Sequence, residues 1–183
     1  LFYKFIFKKK VVYIDHQSQN FLILKSFISA LTSIKFFDFT IFVNKNKFLS
    51  FKNKSKNVDK KISHISNSVD ANFFNNSHTV IKRKNFIIGM AARLDAGKRH
   101  ELIIYALNHP KLKSHDITFL IAGGGDNVEY LKDLVKNEGL NNKVKFNGPL
   151  NEIDMKFWYK KLDLYVHATN GEGMSISILE AMA

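Results

Sequence analysis

Residues 117–137 read Ile-Thr-Phe-Leu-Ile-Ala-Gly-Gly-Gly-Asp-Asn-Val-Glu-Tyr-Leu-Lys-Asp-Leu-Val-Lys-Asn. The run Ile117–Ala122 carries no charge and reads as a buried strand. Three glycines, Gly123, Gly124 and Gly125, then turn the chain into a helix from about Val128 to Asn137. The same rhythm extends outward in both directions. Upstream, a strand over Phe86–Met90 is followed by a loop and a helix near Arg99–Asn108. Downstream, a strand over Lys143–Phe146 precedes a helix near Ile153–Lys161, and a strand over Leu164–His167 precedes a last helix from Ser175. Strands alternating with helices of this length predict βαβ units, a parallel sheet and right-handed crossovers. From about residue 85 the chain therefore reads as a doubly wound, Rossmann-like α/β domain.

The first part of the chain reads as the end of a second α/β domain. Val11–Asp15 predicts a short strand ending at His16, and Phe21–Phe37 has apolar residues at helical spacing. Phe39–Val43 reads as a strand, Asn44–Lys61 as basic helix or loop, and Ile62–Ile65 as another short strand. Residues 72–84 are polar and rich in Asn, Ser and His, as a linker would be. The predicted division is residues 1–75, a linker over 76–84, and residues 85–183. The sequence stops at Ala183 inside its fourth helix without a turn signal or cap, and the expectation is a piece of a larger protein.

Composition narrows the function classes. The formal charge is +12, and there is no cysteine. A disulfide framework and thiolate zinc sites are thereby excluded, which fits a reducing cytoplasm. Residues 1–70 hold 13 Lys against 4 acidic residues, interleaved with Phe, Ile and Leu, so the positive excess sits there. Such a surface attracts anionic lipid headgroups or nucleic acid, and an AT-rich genome would produce the same bias. Lys25, Lys35 and Asp38 interrupt the longest apolar candidate, Phe21–Val43, which argues against a transmembrane span.

Parallel α/β sheets bind ligands outside the carboxyl ends of their strands, which directs attention to the loops there. The loop after the first strand of the domain, with Gly89 at its start, places Arg93 and Lys98 beside a helix N-terminus. Two cations there suit a diphosphate, although two solvated surface cations would read the same way. The segment does not match the Walker pattern, which weakens an ATPase reading. Gly123 and Gly124 allow close backbone approach to a ligand, or equally a plain tight turn with Asp126 as N-cap. Asn147, in Phe146-Asn147-Gly148-Pro149, lies in a loop whose backbone could face a nucleobase. After the last strand comes Asn170-Gly-Glu172-Gly173-Met174-Ser175-Ile-Ser-Ile-Leu-Glu180. Its backbone near Gly173–Ser175 suits a phosphate, and Glu180 lies about 7–8 Å further along the helix. A carboxylate accepts from two adjacent hydroxyls, as on ribose, but an ordinary surface Glu fits that position too.

Taken together, Gly89–Lys98, Ile121–Asp126, Val144–Pro149 and the Glu172…Glu180 spacing with its trailing Glu-Ala-Met-Ala resemble the family 4 (group 1) retaining glycosyltransferases of the GT-B fold. The segment Ile65-Ser-Asn67-Ser68-Val69-Asp70…Phe73 resembles the family's domain junction. Ser68 and Ser175 stand where Gly is usual, and Ser66 where Pro is common. The resemblance implies that Arg93 and Lys98 hold the donor diphosphate, that Glu172 contacts the transferred sugar and that Glu180 binds the ribose. It further implies that backbone around Met174 and Ser175 completes the phosphate site, and that His16 is a donor-facing histidine. Retention, a nucleoside diphosphate sugar as donor (UDP-sugar favoured), no cofactor and no bound metal follow from the same likeness. A glycan or lipid-linked acceptor in polysaccharide or lipopolysaccharide biosynthesis is expected, with a cytoplasmic protein held peripherally on anionic membrane. The family's site needs both domains whole, so the isolated chain is expected to be inactive. The competing readings are an inactive pseudoenzyme or fragment, and a sugar-nucleotide epimerase of the same fold. A nucleic-acid partner has charge alone behind it and is not expected.

Overall fold

The computed structural model describes residues 10–16, 23–53, 56–74 and 85–183. The expected linker over 76–84 lies outside them, as do Phe21 and Leu22 of the first expected helix. Contacts divide the chain into two compact units. One comprises residues 1–68 and 171–176, and the other residues 69–170 and 177–183.

In the first unit, β1 (Val12–Asp15), β2 (Phe39–Phe42) and β3 (Ile62–His64) form a parallel sheet in that order. α1 (Ile23–Phe36) connects the first two strands, and α2 (Lys45–Phe51) and α3 (Lys56–Asp59) precede the third. The basic stretch after Val43 is thus mostly helical. Asn44 starts α2 as its N-cap, its side chain accepting from Lys47 N at 3.0 Å. The core is Ala30, Ile34, Phe42, Phe51 and Ile62, with the rings of Phe42 and Phe51 stacked 5.5 Å apart. Lys47 is buried as well, because its ammonium meets Asp15 at 2.8 Å.

The second unit opens with the single turn α4 (Ala71–Phe74). β4 (Phe86–Ala91), α5 (His100–Leu107), β5 (Ile117–Ala122), α6 (Val128–Asn137), β6 (Val144–Gly148), α7 (Glu152–Tyr159), β7 (Leu164–Tyr165) and α8 (Ile176–Met182) follow. All pairings are parallel, and the strand order is β6-β5-β4-β7. The strand period of two explains the burial on both faces. Phe119 and Ile121 pack with Ile104, Leu107, Leu131 and Val135 of α5 and α6. Leu120 and Ala122 join Ala91 and Trp158 in a second core on the α7 side. Helices on both faces of an open parallel sheet make the architecture doubly wound, as expected from the sequence. Asp126 does not cap α6: Asn127 occupies the N-cap position, without a side-chain cap bond.

Candidate functional site

The chain runs from β4 outward to β6, then returns to place β7 on the other side of β4. That reversal is a topological switch point, and the crevice at its carboxyl end is where doubly wound sheets bind ligands. The loops leaving β4 and β7 are tied together there. Asn170 N and Thr169 Oγ1 both donate to Gly97 O, at 2.9 and 3.2 Å. Arg99 Nη1 donates to Asn170 Oδ1 at 2.9 Å.

The glycine triplet serves the same loops. Gly123 and Gly125 have φ of +134° and +154°, and a Cβ on either would strike the backbone of Ala92 or Leu94. Leu94 N donates to Gly124 O, Asn127 N to Leu94 O and Gly123 N to Gly148 O. Absent side chains thus let three loops share a hydrogen-bonded backbone seam.

Within the β4–α5 loop, Asp95 Oδ1 accepts from the backbone of Gly97 and Lys98, at 3.0 and 3.2 Å. This Asx turn sets where Lys98 starts. Arg93 is 82% exposed at its side chain and meets Asp95 at 3.3 Å, a weak surface pair. The turn is closed by His100, which is fully buried and whose Nδ1 meets the Lys98 carbonyl. With Nδ1–H as the donor, Nε2 is an acceptor, and it has no hydrogen-bond partner among the described residues. Burial lowers the His100 pKa, His167 adds to the effect, and the Lys98 carbonyl, Glu101 and Asp95 oppose it. The folded state therefore favours neutral imidazole. Its stability contribution is full above the unfolded value of about 6.5 and is lost as pH falls through the folded value. Thermal melts between about pH 7.5 and 5 should show a fall in Tm that His100→Gln flattens. Parallel melting curves for the two proteins would count against this role.

Glu180, on α8, accepts from the Tyr159 hydroxyl at 2.8 Å. Burial first, and then the Glu180 carboxylate, push the Tyr159 pKa up, so this hydroxyl remains a donor. Tyr165 reaches the same helix through Ser177 Oγ at 2.9 Å. The Asn147 side chain is engaged by Trp158, whose Nε1 donates to Oδ1 at 3.0 Å. Gly89 lies within β4, where a Cβ would come 2.5 Å from Leu162 and 2.7 Å from Trp158. Its missing side chain makes room for α7 packing.

The other expected site residues belong to the first unit. His16 is exposed immediately after β1 and follows the buried Asp15. Glu172, Gly173 and Met174 are exposed and Ser175 is half-buried. Asn67 Nδ2 donates to Met174 O at 2.8 Å, which pins this loop. Sequence reading did not single out Tyr159, Trp158, Tyr165 or His100. Each sits within or beside a helix or strand whose apolar pattern explains it as core.

A sequence model of the glycosyl transferases group 1 family matches residues 72–183, more than half of the chain. The chain belongs to the group 1 glycosyltransferases. An uncharacterized glycosyltransferase of Methanocaldococcus jannaschii is 39% identical over 98 residues, covering 53% of this chain and 25% of that protein. The O-antigen biosynthesis glycosyltransferase WclY of Escherichia coli is 28% identical over 156 residues, covering 80% of this chain and 41% of that protein. This glycosyltransferase chain thus spans less than half the length of these curated relatives. Among solved structures, Anabaena Alr3699/HepE in complex with UDP-glucose matches with a TM-score of 0.78 at 24% identity. That match covers 98% of this chain and 52% of the other, and it shows the GT-B fold. No described helix of this glycosyltransferase is long and apolar enough to cross a membrane.

Proposed function

We propose that this glycosyltransferase binds a nucleoside diphosphate sugar, with UDP as the favoured nucleotide, and passes the sugar with retention to a glycan or lipid-linked acceptor. The observation that carries the reading is the pair of joined loops at the β4/β7 switch point. One holds Arg93 and Lys98, and the other leads into Glu172 and Glu180. In this reading Arg93 and Lys98 hold the diphosphate and offset the charge that builds on it as the glycosidic bond breaks. Arg93 can grip phosphate oxygens in a fork, and Lys98 supplies a compact charge from a turn organised by Asp95. Glu172 contacts the transferred sugar and Glu180 the ribose diol, while His16 faces the donor. The UDP-glucose bound in Alr3699/HepE and the O-antigen role named for WclY favour a UDP-sugar and a cell-envelope polysaccharide.

Saturation-transfer NMR of the chain against UDP, GDP, ADP and CMP tests the donor reading. Selective binding of UDP, weakened about tenfold by Lys98→Ala, is expected, the scale of one hydrogen bond to a charged group. Binding that Lys98→Ala leaves intact would remove the diphosphate role from this loop.

A further inference from the structure

We propose that Tyr159 is a positioning residue that fixes the Glu180 carboxylate for the donor ribose, an inference that rests on the ribose reading of Glu180 above. The two residues are 21 positions apart, on α7 and α8, and are joined by the 2.8 Å hydrogen bond from the Tyr159 hydroxyl to Glu180 Oε2. The same hydroxyl lies 3.1 Å from Ser177 O in the first turn of α8, and its one hydrogen goes to the nearer Glu180 oxygen.

The tyrosine ring is itself held by other rings. Trp158 meets it edge-on at 5.3 Å, Phe74 edge-on at 6.0 Å, and Tyr165 tilted at 5.8 Å. A hydroxyl on a ring so packed is a fixed point. A glutamate side chain otherwise samples many rotamers, and ordering it on binding costs affinity. A donor on Oε2 selects one orientation in advance. Of the roughly four acceptor directions of a carboxylate, Tyr159 takes one, and the remainder suffice for two adjacent hydroxyls. Tyr165 supplies the comparison. Its hydroxyl anchors α8 at Ser177 Oγ and also meets Ala91 O at 3.2 Å.

Calorimetric titration of the 183-residue chain with UDP and with its 2′,3′-dideoxy analogue tests the proposal, using Tyr159→Phe, Tyr165→Phe and Glu180→Ala. Tyr159→Phe should weaken UDP about tenfold, the scale of one charged hydrogen bond, and leave the dideoxy analogue unchanged. Glu180→Ala should do the same, while Tyr165→Phe should shift both nucleotides by one common factor. If Glu180→Ala discriminates between the nucleotides and Tyr159→Phe does not, the positioning role is wrong and the ribose reading stands. If Glu180→Ala shows no discrimination, or the unmodified chain binds neither nucleotide, the ribose reading falls and this proposal with it. Equal weakening of both nucleotides by Tyr159→Phe would reduce Tyr159 to a structural anchor and overturn the proposal.

Discussion

Gly123→Ala is expected to remove about 4 kcal/mol from the stability of the second unit, near the top of the range for single substitutions. At φ of +134°, a Cβ on Gly123 would come 2.0 Å from Ala92 O and 3.0 Å from Ala92 C. Those atoms are backbone and cannot rotate away. They are held by Ala92 N donating to Ala122 O at 3.0 Å, and by Leu94 N donating to Gly124 O at 2.9 Å. Relief requires opening the seam, at about 1 kcal/mol for each hydrogen bond lost, on top of about 1–2 kcal/mol for a left-handed alanine. Domains are typically stable by only about 5–15 kcal/mol, so the loss is a large fraction of the total and a marked drop in the denaturation midpoint is expected. Trp158, the sole tryptophan and 2% exposed within this unit, makes urea denaturation readable by fluorescence. Gly139→Ala is the control: its φ is +68° and nothing lies within 4 Å of the added Cβ. It should cost only the backbone term, about 1–2 kcal/mol. Equal midpoints for the two variants would mean that the three loops are not welded as described.

Lys47→Met should have the largest effect in the first unit, at about 3–5 kcal/mol, the cost of removing one partner of a buried ion pair. Asp15 and Lys47 are 1% and 4% exposed, and their charges meet at 2.8 Å. Asp15 closes β1 and its backbone carbonyl accepts from Val43 N at 3.1 Å, so its carboxylate cannot move to water without disturbing the strand end. The double variant Asp15→Leu, Lys47→Met should recover most of the loss, because neither charge of the pair is then buried. Hydrogen exchange at β1–β3 amides reads the effect locally, where Trp158 fluorescence does not. A single variant costing less than about 1 kcal/mol would show that the pair behaves as a solvated surface bridge. The same exchange data report on the strand end that carries His16.

Much of the fold was legible before any coordinates. Ile117–Ala122 is strand because six residues without charge can be buried on both sheet faces, and the helices after it follow from apolar spacing over one or two turns. These signals lie within a few positions of one another, so local order in the sequence is enough to read them. The candidate donor loops were legible for a related reason. In a doubly wound sheet they are the segments after each strand, and locating the strands locates Arg93, Lys98 and Glu172 in the chain. Where the sequence left helix or loop open, after Val43, the outcome was a helix capped by Asn44.

What needed the tertiary structure is the set of partners. The glycine triplet read equally as a place where backbone approaches a ligand or as a plain tight turn. Its purpose as a loop–loop seam depends on Ala92 and Leu94, which are remote in sequence. Lys47 read as one basic residue among thirteen, yet it is buried because Asp15, 32 positions away, neutralises it. Tyr159 and Trp158 lie within the expected helix near Ile153–Lys161 and were not singled out, yet their polar atoms hold Glu180 and Asn147. Periodicity determines which side of an element is buried, since each residue's neighbours along the chain impose it. Which polar atom meets which is decided only when strands return beside one another, because a hydrogen bond depends on distance in space and not on separation in sequence.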